Sequence, residues 1–194
     1  MNDDDYDRLV MDLHEALAHT EGEVMLSTEE AELLHELARQ VDEGCIVEVG
    51  SYRGRSTVAL ATGASVPVYA IDPHEQFTGV LGAQFGPADR VAFYRTMLRA
   101  NTADRVRLVN LPSEVACAGW IDRIGLLFID GDHRYEGVRR DFECWQPHLT
   151  SEATVALDDS IDPELGPRRV VAEASGSGFT VDRVVGKITV LRRA

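Results

Sequence analysis

Lysine is almost missing from this chain: of 194 residues only Lys187 is one, and every other basic residue apart from histidine is arginine. That usage reads as a GC-rich coding bias and not as chemistry. Cysteine is scarce too. Cys45, Cys117 and Cys144 are odd in number and unclustered, which excludes a disulfide framework and suggests buried free thiols in a reducing cytoplasm. No apolar run approaches the roughly 20 residues that span a bilayer. Met1-Asn2-Asp3-Asp4-Asp5 lacks the positive n-region of a secretory signal, so a cytoplasmic location is expected. Positive charge is short overall, with 19 basic against 33 acidic side chains and a net charge of -14. Long-range attraction to nucleic acid or anionic membrane is thereby disfavoured. The chain has no Gly-Lys-Ser/Thr of a Walker loop, no GxSxG and no GxGxxG in register after a strand, which argues against phosphate-loop, serine-hydrolase and dinucleotide chemistry.

What is present suits one domain, with 44% apolar and 27% charged residues. The acidity is uneven. Residues 1–44 hold 14 acids and only Arg8 and Arg39, while the remaining 150 residues are nearly neutral. Apolar spacing predicts helices over Tyr6–Leu17 and from Ser27 to Val41, making 1–44 an acidic helical extension of a domain at 45–194. Strands are predicted at Cys45–Val49, Val66–Ile71, Val106–Val109, Gly125–Ile129 and Ala153–Leu157. Helices are predicted between them at Gly54–Ala61, Asp89–Ala100, Ser113–Ala118 and Arg134–Trp145. Gly178–Val184 and Lys187–Leu191 read as a closing antiparallel hairpin. The fold class is therefore α/β: a doubly wound, mostly parallel sheet with an antiparallel C-terminal hairpin strand and helices on both faces. Phe77–Ala88, rich in glycine, reads as a loop and a lid.

The first strand runs Ile46-Val47-Glu48-Val49-Gly50 into Ser51-Tyr52-Arg53-Gly54-Arg55-Ser56-Thr57. Two glycines there allow a tight turn and close approach of a ligand to a helix N-terminus. Asp72, at the end of the second strand and followed by Pro73, is placed to accept hydrogen bonds from ribose hydroxyls. These residues resemble the first motifs of class I S-adenosylmethionine-dependent methyltransferases, which have a Rossmann-like sheet, and within them the small-molecule O-methyltransferases of catechol type. The resemblance covers residues 45–194. It implies S-adenosylmethionine as cofactor, held by Glu48, Gly50, Ser51, Tyr52, Gly54, Ser56, Asp72, Pro73, Ser113 and Asp130. Asn110-Leu-Pro-Ser113 departs from the family's Gly-x-Ser.

The fourth strand ends in Asp130-Gly131-Asp132-His133 and the fifth in Asp158-Asp159-Ser160. In a parallel sheet both ends open on one edge, where converging carboxylates repel unless a cation joins them. Oxygen ligands favour Mg²⁺ or Ca²⁺, and such an ion lowers the pKa of a bound hydroxyl; Mg²⁺ is the expected one. Asp130, Asp158 and Asp159 also resemble the metal triad of divalent-metal O-methyltransferases, with Asp158-Asp159 closest to the macrocin-type sugar enzymes. A Gly-Gly pair usually precedes the fifth strand in the family, and Ser151-Glu152 stands here. His133 and Asp132 are both candidates for the base that takes the acceptor's proton. The expected function is O-methylation of a small hydroxylated molecule, probed against two alternatives: a metal-independent transferase with His133 as base, and a binding module without catalysis. The acidic extension is expected to be a cover, a gate or a homodimer contact.

Overall fold

A computed structural model describes residues 11–22 and 25–194; the first half of the helix expected at Tyr6–Leu17 lies outside the described residues. In chain order the elements are α1 (Leu13–Leu17), α2 (Thr28–Arg39), β1 (Cys45–Val49), α3 (Arg55–Gly63), β2 (Val68–Ile71), β3 (Phe77–Thr78), β4 (Gln84–Phe85) and α4 (Pro87–Arg99). There follow β5 (Val106–Val109), α5 (Ser113–Ala118), β6 (Ile124–Ile129), α6 (Tyr135–Trp145), β7 (Leu149–Leu157), α7 (Gly166–Ser175), β8 (Phe179–Val185) and β9 (Ile188–Arg193).

Seven strands form one sheet in the order β5-β2-β1-β6-β7-β9-β8. The four pairings from β5 to β7 are parallel, and β9 runs antiparallel to both β7 and β8. The side-chain period of two divides each strand between two cores. Ile46, Leu126, Phe128 and Ala156 point to one face, beneath α1–α4; Val47, Val49, Leu127, Ile129 and Val155 point to the other, beneath α5–α7. The chain steps from β1 to β2 and β5 on one side, then from β6 to β7 on the other. The strand order thus reverses between β1 and β6, the crevice where doubly wound sheets take their ligands.

The acidic helices belong to the first core. Leu34 and Ala38 of α2 and Ala16 of α1 are fully buried with Val58 and Leu60 of α3. Ser27 and Glu30 form a reciprocal capping box at the start of α2. Arg55 ties both helices to the sheet, donating to Leu26 O (2.9 Å), Leu17 O (3.3 Å) and Thr20 Oγ1 (3.0 Å).

Three sequence expectations need correction. Residues 166–175, left without an element, form α7: Val170 and Ala174 are buried, while Arg169 lies 3.6 Å over the Tyr135 ring and pairs with Glu173. The segment around 77–88 is not simply loop, because Phe77 and Thr78 pair with Phe85 and Gln84 in a short antiparallel ladder. Cys117 and Cys144, expected as free thiols, are joined in a disulfide between α5 and α6, and buried Cys45 is the free one. Adjacent helices bring together cysteines 27 residues apart, which spacing could not reveal. The free-thiol argument for a reducing compartment therefore loses two of its three cysteines. Among the described residues no helix is long and apolar enough to cross a membrane. Thiol titration of the denatured, unreduced chain is expected to return one thiol, Cys45, and all three only after reduction; three without reduction would contradict the pairing.

Candidate active site

The residues that follow β1, β2, β6 and β7 each extend the parallel ladder by one bond. Gly50 N donates to Ile71 O (2.9 Å), Asp72 N to Val109 O (3.2 Å), Asp130 N to Val49 O (2.8 Å) and Asp158 N to Ile129 O (3.0 Å). Their side chains therefore sit at fixed positions on one rim of the sheet. They border a cleft of about 300 Å³, lined also by Ser51, Tyr52, Ser56, Pro73, Ser113, Asp132, His133 and Asp159. Most of the site residues expected from the sequence are brought together here. Glu48 and Gly54 are not among the lining residues.

The glycine turn is tightly constrained. Gly50 has φ +86°, and a Cβ there would collide with the Asp130 carbonyl. Gly54, φ +89°, packs against Met97 and Phe93 at the start of α3. Asp72 clamps the turn: Oδ2 accepts from Ser51 N (3.1 Å) and Tyr52 N (2.8 Å), and Oδ1 from His74 N (2.8 Å). His74 Nε2 lies 2.7 Å from Tyr52 O and donates to it, with Nδ1 3.4 Å from Asn110 Nδ2. Asn110 Nδ2 also donates to Asp72 O (2.7 Å) and Pro73 O (2.8 Å). The departure from Gly-x-Ser thus supplies a side chain that fastens the β2 and β5 loops. Tyr52, His74 and Asp159 all adopt left-handed backbone (φ +45°, +49° and +48°), a strain held by these contacts and concentrated beside the cleft. Ser51 Oγ is buried with no hydrogen-bond partner.

Glu48 lies under the turn, fully buried, where Thr57 Oγ1 donates to its Oε2. Burial pushes its carboxyl up to about 8 against the opposing hydroxyls of Ser56 and Thr57. Glu48 therefore supports the loop from below and is not among the residues that line the cleft. Ser113 Oγ accepts from the indole of buried Trp145 (2.9 Å), and neighbouring Asp141 is raised to about 6 by its burial. Over the cleft, Phe85 meets Tyr52 edge-to-face at 5.1 Å, and Arg134 lies 5.5 Å from the Phe77 ring centre.

At the acidic end, Asp130, His133 and Asp158 each offer a ligand atom, all within 4.8 Å of one another. Asp159, third of the expected metal triad, is outside that set. Its Oδ2 lies 3.2 Å from His133 Nδ1, while His133 Nε2 lies 3.2 Å from Asp130 Oδ1. With a carboxylate at each nitrogen the ring suits the doubly protonated form. Burial alone would lower His133, but the Asp130 hydrogen bond and the charges of Asp130 and Asp159 raise it on balance. Asp132 Oδ1 accepts from Arg134 N (3.1 Å) and Nη1 (3.0 Å) and so caps the turn into α6.

Sequence reasoning missed Lys187. Its Nζ lies 2.5 Å from Asp158 Oδ2 and 3.1 Å from Asp159 Oδ1. Burial opposes its charge, but Asp158, Asp130 and Asp159 outweigh that and raise it. A divalent ion held by these carboxylates would stand close to the ammonium: two unit charges 4 Å apart repel by roughly 4 kcal/mol near a protein surface, and a dipositive ion doubles that. Asp158 Oδ1, also buried, has no partner.

A family model described as a methyltransferase domain matches residues 47–160, well over half of the chain. The chain belongs to this methyltransferase family. Solved structures share the fold of the methyltransferase across nearly the whole chain at low identity. An O-methyltransferase from Bacillus cereus in complex with S-adenosylhomocysteine matches at 19% identity and TM-score 0.67, covering 100% of this chain and 92% of that one. The S-adenosylhomocysteine-bound methyltransferase PaMTH1 from Podospora anserina matches at 17% identity and TM-score 0.70, covering 100% and 97%. TomG from Streptomyces achromogenes, an O-methyltransferase involved in tomaymycin synthesis and bound to S-adenosylmethionine, matches at 18% and 0.66, covering 100% and 91%.

Glu48 yields a pH test of the turn. Its folded value near 8 lies above the ordinary 4.5, so the folded chain holds the extra proton between those values. Stability from this group is complete below the unfolded value and is lost as pH rises through about 8. Glu48→Gln is expected to gain thermal stability relative to wild type from pH 5 up to about pH 8 and to level off above it. A constant difference in melting temperature would contradict the assignment.

Proposed function

We propose that this methyltransferase takes the methyl group of S-adenosylmethionine and places it on a hydroxyl oxygen of a small sugar, phenol or other natural-product acceptor. One observation carries the reading: two buried polar atoms without partners, Ser51 Oγ and Asp158 Oδ1, belong to residues lining the same cleft, one at the glycine turn and one at the acidic end. The orphan Ser51 hydroxyl, held at the turn that Gly50 packs against the Asp130 backbone, fits the amino-acid portion of the cofactor. Asp72 also lines the cleft and fits the ribose. Family membership and the O-methyltransferases among the structural relatives support the same cofactor and acceptor atom.

S-adenosylmethionine supplies an electrophilic methyl on a sulfonium; the acceptor oxygen bonds to that carbon as the S–C pair returns to sulfur. The chain's part is to hold the hydroxyl near and in line, and to take its proton. Asp158 Oδ1 is the group we assign to the proton, because it is a buried carboxyl oxygen of the cluster without a partner, and burial and the facing Asp130 charge raise that carboxyl's hold on a proton. His133, clamped between Asp130 and Asp159, positions those carboxylates, and Asp132 fixes the loop through Arg134. Phe77, Phe85 and Tyr52 form the aromatic wall that excludes water and meets the acceptor. Mg²⁺ assistance is supported by the convergence of Asp130, His133 and Asp158 and opposed by the Lys187 contacts. The route through Asp158 needs no metal.

Calorimetry with S-adenosylhomocysteine tests the cofactor step. Wild type is expected to bind and Gly50→Ala to lose binding; no binding by wild type at millimolar ligand would sink the proposal. With a panel of hydroxylated acceptors, Asp158→Asn is expected to lower turnover by about 10²–10⁴-fold, the usual contribution of a positioned base. An undiminished rate would remove Asp158 from the role.

A further inference from the structure

Lys187 stands at the turn between β8 and β9, and its backbone is fixed on both sides. Its N–H donates to Glu30 Oε1 (2.9 Å), and its carbonyl accepts from Ser160 N (3.0 Å) and Oγ (3.1 Å). Glu30 is buried and its other oxygen accepts from Ser27 N (2.8 Å), so the hairpin turn is locked to the capping box of α2. Gly186 before it has φ +55°, and a Cβ there would collide with the Glu30 carboxylate. From this anchored position the side chain turns inward to Asp158 and Asp159, not outward to water.

We infer that the Lys187 ammonium is the resident cation of the acidic centre, filling the electrostatic role that a divalent ion was expected to fill there, so that the acceptor hydroxyl is handled without a metal. This rests on the methyl-transfer reading for its purpose, but its electrostatics stand apart from it. Three carboxylates, Asp130, Asp158 and Asp159, meet two cationic groups, Lys187 and His133, which leaves little negative charge to attract a further dication. The choice of residue fits. An ammonium is a compact point charge with three rotatable donors and can sit between adjacent carboxylates, whereas a planar guanidinium is built for bidentate pairing. A chain that otherwise uses arginine has its one lysine here. Lys187 is a positioning residue: it holds Asp158 Oδ2 and leaves Oδ1 to the acceptor.

Mn²⁺ binding, read from loss of the free-ion electron paramagnetic resonance signal, tests the inference without knowing the acceptor. Wild type and Lys187→Arg are expected to leave the signal intact. Lys187→Met is expected to bind Mn²⁺ at least about tenfold more tightly than wild type, as removal of a like charge at contact distance allows, and Asp158→Asn added to it should abolish the gain. Wild-type binding as tight as that of Lys187→Met would overturn the inference, and so would no binding by either. If Lys187→Met does not fold, melting of wild type decides: an unchanged melting temperature with excess Mg²⁺ supports the inference and a rise overturns it. S-adenosylhomocysteine calorimetry on the same samples separates the two readings, since its failure removes the cofactor proposal and leaves the Mn²⁺ result standing.

Discussion

Carboxylates gathered at the edge of a buried parallel sheet need positive charge close by, and much of this site follows from how that charge is supplied. Asp130 and Asp158 are fixed at adjacent strand ends by the hydrogen-bond ladder, so they cannot separate to relieve repulsion. Their charge is met from within the chain by His133 on one side and Lys187 on the other. Both cations come from neighbouring structure, one from the loop before α6 and one from the last hairpin. The reversed strand β9 is therefore part of the active-site architecture as well as the sheet.

The same contacts give the acidic N-terminal helices a reason to be where they are. Glu30 caps its own helix and holds the backbone of Lys187, and Arg55 from α3 reaches the carbonyls of Leu17 and Leu26. Apolar residues of α1 and α2 share one core with α3, so the extension is packed into the domain and borders the cleft through Leu26. Among its described residues Glu30 is the buried acid, and it holds the hairpin, while the other acids are exposed or part-exposed.

Much of the frame was legible in the sequence because it depends on local pattern. The strands at Cys45 and Val106, the strand read from Gly125 that begins at Ile124, the glycine turn at Gly50 and the aspartates at 72, 130 and 158 lie where apolar period and turn chemistry put them. Other features were hidden because they depend on partners distant in the chain. Cys117 meets Cys144 only once α5 lies beside α6. α7 was masked by its glycine, proline and paired arginines, and only Val170 and Ala174 mark its buried side. Glu48 reads as a ligand-facing acid by its place beside the glycine turn, but the strand's alternation sends it under α3 instead of into the cleft.

The sequence by itself determined the fold class, the family motifs and which strand ends carry carboxylates, because hydrophobic period and residue type are properties of short segments. Only the tertiary structure decided how those carboxylates are neutralised. A lysine 29 residues beyond Asp158 becomes its partner because β9 folds back antiparallel against β7. Electrostatic balance at a site depends on distances of a few ångströms in space, and a sequence holds those distances only through the fold.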